Sequence, residues 1–247
     1  MPPLAQDLWP DDIKSAFAAV NRARCAGDAA GMARGCRAAE TVLTALAAGA
    51  PPRPLRVQIA RSYFDLASVY YELGRPAAGR RAVGRSRRLW ERVAADEPAD
   101  FYARTQLAGC LNWLALMASD AGDSAAAERL HLAALAVRTE AHRRAAAGGG
   151  PDDPTDRLDN LTHRAGVLCN LGHLLRERGD GKRASAYYAE AIRELEGLLP
   201  KYPRKRDRQA GEGAADDWEA RYGQPHYSRV AARFLDNARW GRGQLKT

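Results

Sequence analysis

Apolar residues recur at helical spacing along most of the chain. Leu168, Leu171 and Leu175 form one such stripe, and Tyr188 and Ile192 belong to the next. Intervals of three and four residues place apolar side chains on one face of a helix. Neighbouring stripes are split by a glycine followed at once by a polar residue, which is typical of a helix C-cap and the start of another helix. The pattern therefore predicts pairs of amphipathic helices joined by tight turns.

These helix pairs repeat along the chain. The splitting glycines Gly27, Gly74, Gly122 and Gly179 are 47, 48 and 57 residues apart. Small residues follow the last three at matched offsets: Gly79 and Ser86, Ala127 and Ala134, Ala184 and Ala191. A fixed period with two helices per unit is typical of an α-solenoid, in which small residues sit where paired helices cross closely.

The repeats predict an all-α fold, a right-handed α-solenoid of about nine helices. Composition agrees, because 50 alanines stand against 12 valines and isoleucines together. Alanine favours helices, whereas strands favour β-branched residues. We expect four segments: residues 1–54, a divergent N-terminal helical pair; 55–203, three repeats with an insertion near 145–156; 204–226, a mobile linker; and 227–247, a C-terminal cap helix.

The unit that begins at Leu168 resembles a tetratricopeptide repeat (TPR). Its Leu-x-x-Leu-Gly start is followed by Gly179, Ala184, Tyr188, Ala191 and a closing Pro200. Across residues 55–247 the repeats are longer than the usual unit of about 34 residues. They are similar to the long TPR units found beside serine/threonine protein kinase domains in some bacteria. The resemblance implies a TPR-like scaffold for a protein or peptide, linked to bacterial kinase signalling.

Nothing in the sequence points to catalysis. The chain has no kinase glycine loop, His-Arg-Asp loop or Asp-Phe-Gly motif. The cysteines form no CxxC pair, and the histidines lack the spacing of metal ligands on a helix. We therefore predict no enzyme activity, no cofactor, no metal and no small-molecule substrate. Without a signal peptide or an apolar run of about 18 residues, we expect a cytoplasmic protein with no membrane partner.

An arginine-rich segment offers an alternative function. The formal net charge is +8, and residues 75–92 alone hold seven arginines and one glutamate. Such a segment is either a solvated outer face or a patch for an anionic partner such as nucleic acid. The alternative to a peptide-binding scaffold is therefore a nucleic-acid-binding helical repeat protein. Its basic patch would comprise Arg80, Arg81, Arg85, Arg87 and Arg88.

The TPR resemblance also implies where a peptide would bind. First helices of each repeat line the concave groove in that family, and extended peptides bind there through side-chain and backbone contacts. The positions of the family's clamp for a C-terminal carboxylate carry Phe64, Asn112 and Cys169, so the clamp is not supported. The groove-facing candidates are Arg61, Phe64, Ser68, Tyr71, Asn112, Leu116, Ser119, Cys169, His173 and Arg176.

Overall fold

The structure is a computed structural model that describes residues 11–149, 154–201 and 227–246. Within these ranges it contains nine α-helices and no strand, so the predicted all-α class of TPR-like helix-turn-helix repeats is confirmed. The expected linker 204–226 lies outside the described residues, as do residues 1–10 and the middle of the insertion. The helices are α1 Asp11–Cys25, α2 Ala29–Ala48, α3 Arg53–Glu72, α4 Pro76–Asp96, α5 Phe101–Asp120, α6 Ser124–Arg144, α7 Pro154–Glu177, α8 Gly181–Leu198 and α9 Tyr227–Gly243.

The four turns within the helix pairs have one construction. Gly27, Gly74, Gly122 and Gly179 all adopt positive φ, between 65° and 79°. In each turn the next residue donates its backbone N–H to the carbonyl five residues earlier, as Asp180 does to Leu175 at 2.9 Å. This closes the first helix, and glycine fits because it has no Cβ. The glycines that define the period in the sequence therefore lie at helix ends, in the divergent N-terminal copy as well as in the other three copies.

Aspartates begin three of the second helices. The side chains of Asp28, Asp123 and Asp180 accept hydrogen bonds from the backbone N–H three residues later, at 2.7 to 3.1 Å. These contacts satisfy N–H groups that have no partner within the helix. Arg75 holds the same place before α4 without a capping side chain, and there Pro76 starts the helix instead.

Small residues lie where the paired helices cross. In the pair α3–α4, Ser86 donates from Oγ to the carbonyl of Ala60 at 2.7 Å. A Cβ added to Gly79 would lie 3.3 Å from the carbonyl oxygen of Ala67. Ala127, Ala134, Ala184 and Ala191 hold the matched positions in α6 and α8, and all are fully buried. The repeat alignment is therefore confirmed as a packing pattern.

The chain divides into two compact units between Met117 and Ala118. In the first unit α1 packs on α2, α2 on α3, and α3 on α4. Trp90 is its largest fully buried side chain and meets the edge of the Tyr102 ring at 5.6 Å. In the second unit α6 packs on α7 and α7 on α8, and α9 packs on both α7 and α8. Tyr188, Leu168 and Ala238 share the core that α9 closes.

One buried histidine makes the stability of the second unit depend on pH. His131 on α6 is 1% exposed, and burial lowers its pKa to about 4. In the unfolded chain its pKa is about 6.5, so below that pH the unfolded state binds the extra proton. The contribution of neutral His131 to the free energy of unfolding is therefore fully present above pH ~6.5, and it decreases as the pH falls towards the folded-state pKa. When the pH falls from ~6.5 to ~5, we expect protonation of His131 in the unfolded state to lower the free energy of unfolding by ~2 kcal/mol.

Chemical denaturation of the wild type and His131→Gln at both pH values measures this effect. The variant should lose less stability on acidification than the wild type, by about that amount. Equal losses in the two proteins would show that His131 is not the group responsible.

Candidate functional site

Helix α3 places four of the predicted groove residues at intervals of three and four. Arg61 and Tyr71 are exposed, and Phe64 and Ser68 are half-buried. On α5, Asn112 is half-buried and Leu116 is exposed. Both helices are first helices of their repeats, so the first unit presents these side chains from the element that the resemblance implied.

A cluster of aromatic rings joins α3 to α5. The ring of Trp113 lies 5.3 Å from that of Phe64 and 6.2 Å from that of Tyr71, measured between centroids. Tyr71 is 50% exposed and Leu116 is 37% exposed. The rings are tilted against one another, and rings packed at such distances form an apolar surface that needs little reordering on binding. We call Phe64, Tyr71, Trp113 and Leu116 the aromatic surface.

Sequence reasoning missed Trp113 as a surface residue. In the repeat alignment its position is held by Asp65 in one copy and by Asn170 in another. No apolar residue occupies this position in those two copies, so the alignment gave no indication that Trp113 belongs to the core. That contrast was a usable signal, because a large aromatic residue at a position that is polar in the other repeats is a candidate for binding.

Charges of both signs lie beside the aromatic surface. Asp65 is exposed on α3, but the protein around its carboxyl partly desolvates this group and raises its pKa to about 6. The positive charges of Arg61 and Arg24 oppose this shift without cancelling it. Near neutral pH the carboxylate is mostly ionised, so this part of α3 offers an anion and a cation next to apolar rings.

In the second unit, α9 packs against the predicted groove residues. Tyr188 Oη lies 2.8 Å from His173 Nδ1, and the His173 ring is 6.2 Å from that of Trp240. The guanidinium of Arg176 lies over Trp240 at 4.9 Å, a favourable cation–π distance. Trp240 itself is 56% exposed. Trp240, which the sequence did not single out, is the exposed aromatic residue at this place.

The expectation for Cys169 is wrong. This residue is 2% exposed, and its thiol donates to the backbone carbonyl of Phe234 on α9 at 3.5 Å. The position of Cys169 on α7 would face a groove only if no further helix packed against α7. Here α9 packs there and covers it. Cys36, Cys110 and Cys169 are all buried free thiols. Burial raises the pKa of Cys36 to about 11 and that of the other two to about 12, so they are protonated and poor nucleophiles at neutral pH.

The predicted basic patch separates into two groups of arginines. Arg80 donates to the carbonyl of Met117 at 2.7 Å, and Arg85 donates to Glu40 at 2.8 Å. Arg87 pairs with Glu91 one turn later at 3.3 Å. Arg81 and Arg88 are exposed. Three of the five predicted residues therefore have acceptors within the first unit, which the sequence could not show.

The described part of the chain has neither a metal-binding cluster nor a membrane-spanning helix. No group of three or more His, Cys, Asp and Glu side chains there is arranged to hold a metal ion. Its helices also include none that is both long and apolar enough to cross a bilayer.

Paired helices, repeated αL glycines and small crossing residues define the class of helical-repeat proteins. Residues 164–199, which cover the end of α7 and all of α8, match the family model described as tetratricopeptide repeat. The resemblance of this segment to a TPR, read from the sequence, is confirmed, and the match supports a role as a scaffold for protein interactions in general. A comparison with curated proteins found no match.

Several solved structures align with most of the chain at low sequence identity. BtubC from P. vanneervenii is 17% identical with a TM-score of 0.44, over 96% of this chain and 89% of that one. The MamA protein is 13% identical with a TM-score of 0.41, over 95% and 93% of the two chains. The de novo designed helical repeat protein DHR64 is 14% identical with a TM-score of 0.32, over 96% and 93%.

Proposed function

We propose that this protein is a non-catalytic scaffold that binds a segment of a partner protein on its first helices. The observation that carries the proposal is the aromatic surface, where a half-exposed tyrosine and an exposed leucine flank a tryptophan. Tyrosine and tryptophan are the residues that most often anchor protein interfaces. The other proposed contacts in the first unit are Arg61, Ser68 and Asn112. In the second unit His173 and Arg176 on α7 are proposed as a separate contact.

The chemistry of the aromatic surface suits a peptide with an aliphatic or proline side chain between charged neighbours. Such a side chain would bury the exposed edges of Tyr71 and Leu116, and the hydrophobic effect would supply the affinity. Arg61 and Asp65 would pair with charges that flank it and so fix the direction of the peptide. The functional context that we propose is bacterial serine/threonine kinase signalling in the cytoplasm, which the resemblance of the long repeats supports.

Peptides selected from a random display library against the whole chain provide the test. We expect Leu116→Ala to weaken their binding by about tenfold, because a truncated apolar anchor removes ~1.4 kcal/mol. Leu132→Ala on α6 is the matched control, since Leu132 is 38% exposed against 37% for Leu116. Kd values by fluorescence anisotropy should be unchanged for the control. Peptides that depend on Leu132 and not on Leu116 would disprove the proposed site.

A further inference from the structure

Within α4, three arginines differ from the other three; Arg75, which precedes the helix, is exposed as well. Arg81, Arg88 and Arg92 are exposed, and no described residue forms a hydrogen bond or an ion pair with them. By contrast, Arg80 and Arg85 have acceptors on neighbouring helices, and Arg87 is neutralised by Glu91. Arg80 is exposed as well, and a carbonyl does not neutralise its charge, but its guanidinium is held by that hydrogen bond. The charges of α4 that are free to reorient towards a partner are therefore those of Arg81, Arg88 and Arg92, which we call the arginine stripe.

The arginine stripe follows one face of the helix. Positions separated by seven and four residues lie on the same side of an α-helix. At 1.5 Å per residue, the steps along the axis are about 10 Å and about 6 Å. Phosphates of one strand of a nucleic acid duplex rise by about 3.4 Å each. Counting both strands, a duplex carries one phosphate charge per about 1.7 Å of its axis, so the stripe, which spans about 16 Å, can face about ten phosphates.

The surroundings of the stripe contain no apolar anchor. Among the described residues, the exposed large hydrophobic side chains are Tyr71, Leu116, Leu132 and Trp240, none of which lies on α4. Trp90, the aromatic residue of this helix, is fully buried. A protein partner needs an apolar interface core and single-stranded nucleic acid needs rings for stacking, so neither finds its usual contacts here.

Small residues let a rigid partner approach the stripe closely. Ala77 and Ala95 are exposed on this helix, and Gly84 lies between Arg81 and Arg88. A Cβ added at Gly84 would meet only Arg88 Nη1, at 4.0 Å. Long arginine side chains that rise from a low surface can spread along a phosphate backbone and bind several oxygens.

We propose that the outer face of α4 binds the phosphate backbone of double-stranded nucleic acid, without regard to sequence, through Arg81, Arg88 and Arg92. This surface lies on a second helix and is independent of the peptide site on the first helices. Binding would depend on charge alone, so it would weaken steeply with salt as counterions are released.

The test uses the full chain and a fluorescent duplex of mixed sequence, about 20 base pairs long, at about 50 to 200 mM salt. We expect R81Q/R88Q/R92Q to weaken binding at least about tenfold at the lowest salt. We also expect it to reduce the slope of log K against log salt by about 2.7, which is three phosphate contacts at about 0.9 each. The matched control is R129Q/R193Q/R242Q, which removes the same charge from exposed second-unit arginines without described partners. The control should leave both quantities almost unchanged.

Several outcomes would overturn the proposal. Equal effects of the two triple variants would show that binding depends on the net charge of the protein and not on the arginine stripe. Tighter binding of the single strand than of the duplex would point to base stacking elsewhere. Binding to vesicles of phosphatidylglycerol and phosphatidylcholine, with no binding to the duplex, would make a lipid surface the partner. Circular dichroism of each variant checks that the helices are intact.

Discussion

Ala134→Trp is expected to lower the free energy of unfolding by about 3 kcal/mol or more, because it overpacks a helix crossing. Ala134 is 0% exposed and lies twelve residues after the turn glycine Gly122. At the matched position in α4, Ser86 Oγ is already 2.7 Å from the carbonyl oxygen of Ala60. A tryptophan ring has no space at a position where even the alanine side chain is fully enclosed.

The control for this substitution is Ala136→Trp, two residues along the same helix. Ala136 is exposed, so the ring can lie on the surface, and we expect a change within about 0.5 kcal/mol. Urea unfolding of both variants measures the difference. Similar stabilities for the two would mean that position 134 is not at a crossing and that the repeat alignment is wrong.

Gly172→Ala is expected to lower the free energy of unfolding of the second unit by ~1–3 kcal/mol. Within a helix, a change from glycine to alanine usually raises this free energy. A Cβ at Gly172 would lie 2.6 Å from Cε1 of Tyr188. The ring cannot move away easily, because Tyr188 is fully buried and its hydroxyl is bonded to His173. Gly241 lies against the same ring, where an added Cβ would also clash with Cζ of Tyr188.

Gly197→Ala on α8 provides the matched control. A Cβ at Gly197 would have no neighbouring atom within 4 Å, so alanine should stabilise this helix by ~0.5–1 kcal/mol. The predicted result is therefore opposite signs for the same substitution in one unit, measured by thermal unfolding. Stabilisation by both changes would contradict the packing of Tyr188 against Gly172.

The fold was predictable because its signals are local and repeated. A glycine such as Gly179, with an apolar stripe before it and Asp180 after it, is enough to mark a helix end and a new start. Four copies of this turn then define the period, and small residues such as Ala184 mark the crossings. Each of these features involves residues only a few positions apart, which a single sequence displays directly.

The candidate site was only partly predictable, because its side chains meet partners that are distant in sequence. Arg85 pairs with Glu40, which is 45 residues away, and Arg80 reaches the carbonyl of Met117. The charge of the basic segment could therefore be counted, but its accessible part could not be located. Cys169 is covered for a similar reason, since Phe234 lies 65 residues further along.

Photo-crosslinking of a library-selected peptide tests most directly the central claim that the first helices bind a partner segment. The peptide would carry a diazirine in place of its main apolar side chain, and mass spectrometry would locate the attached residues. We predict attachment on α3 and α5, around Ser68 and Leu116. Attachment confined to the second helices, α4 or α6, would contradict the account and place the binding surface on the other side of the repeats.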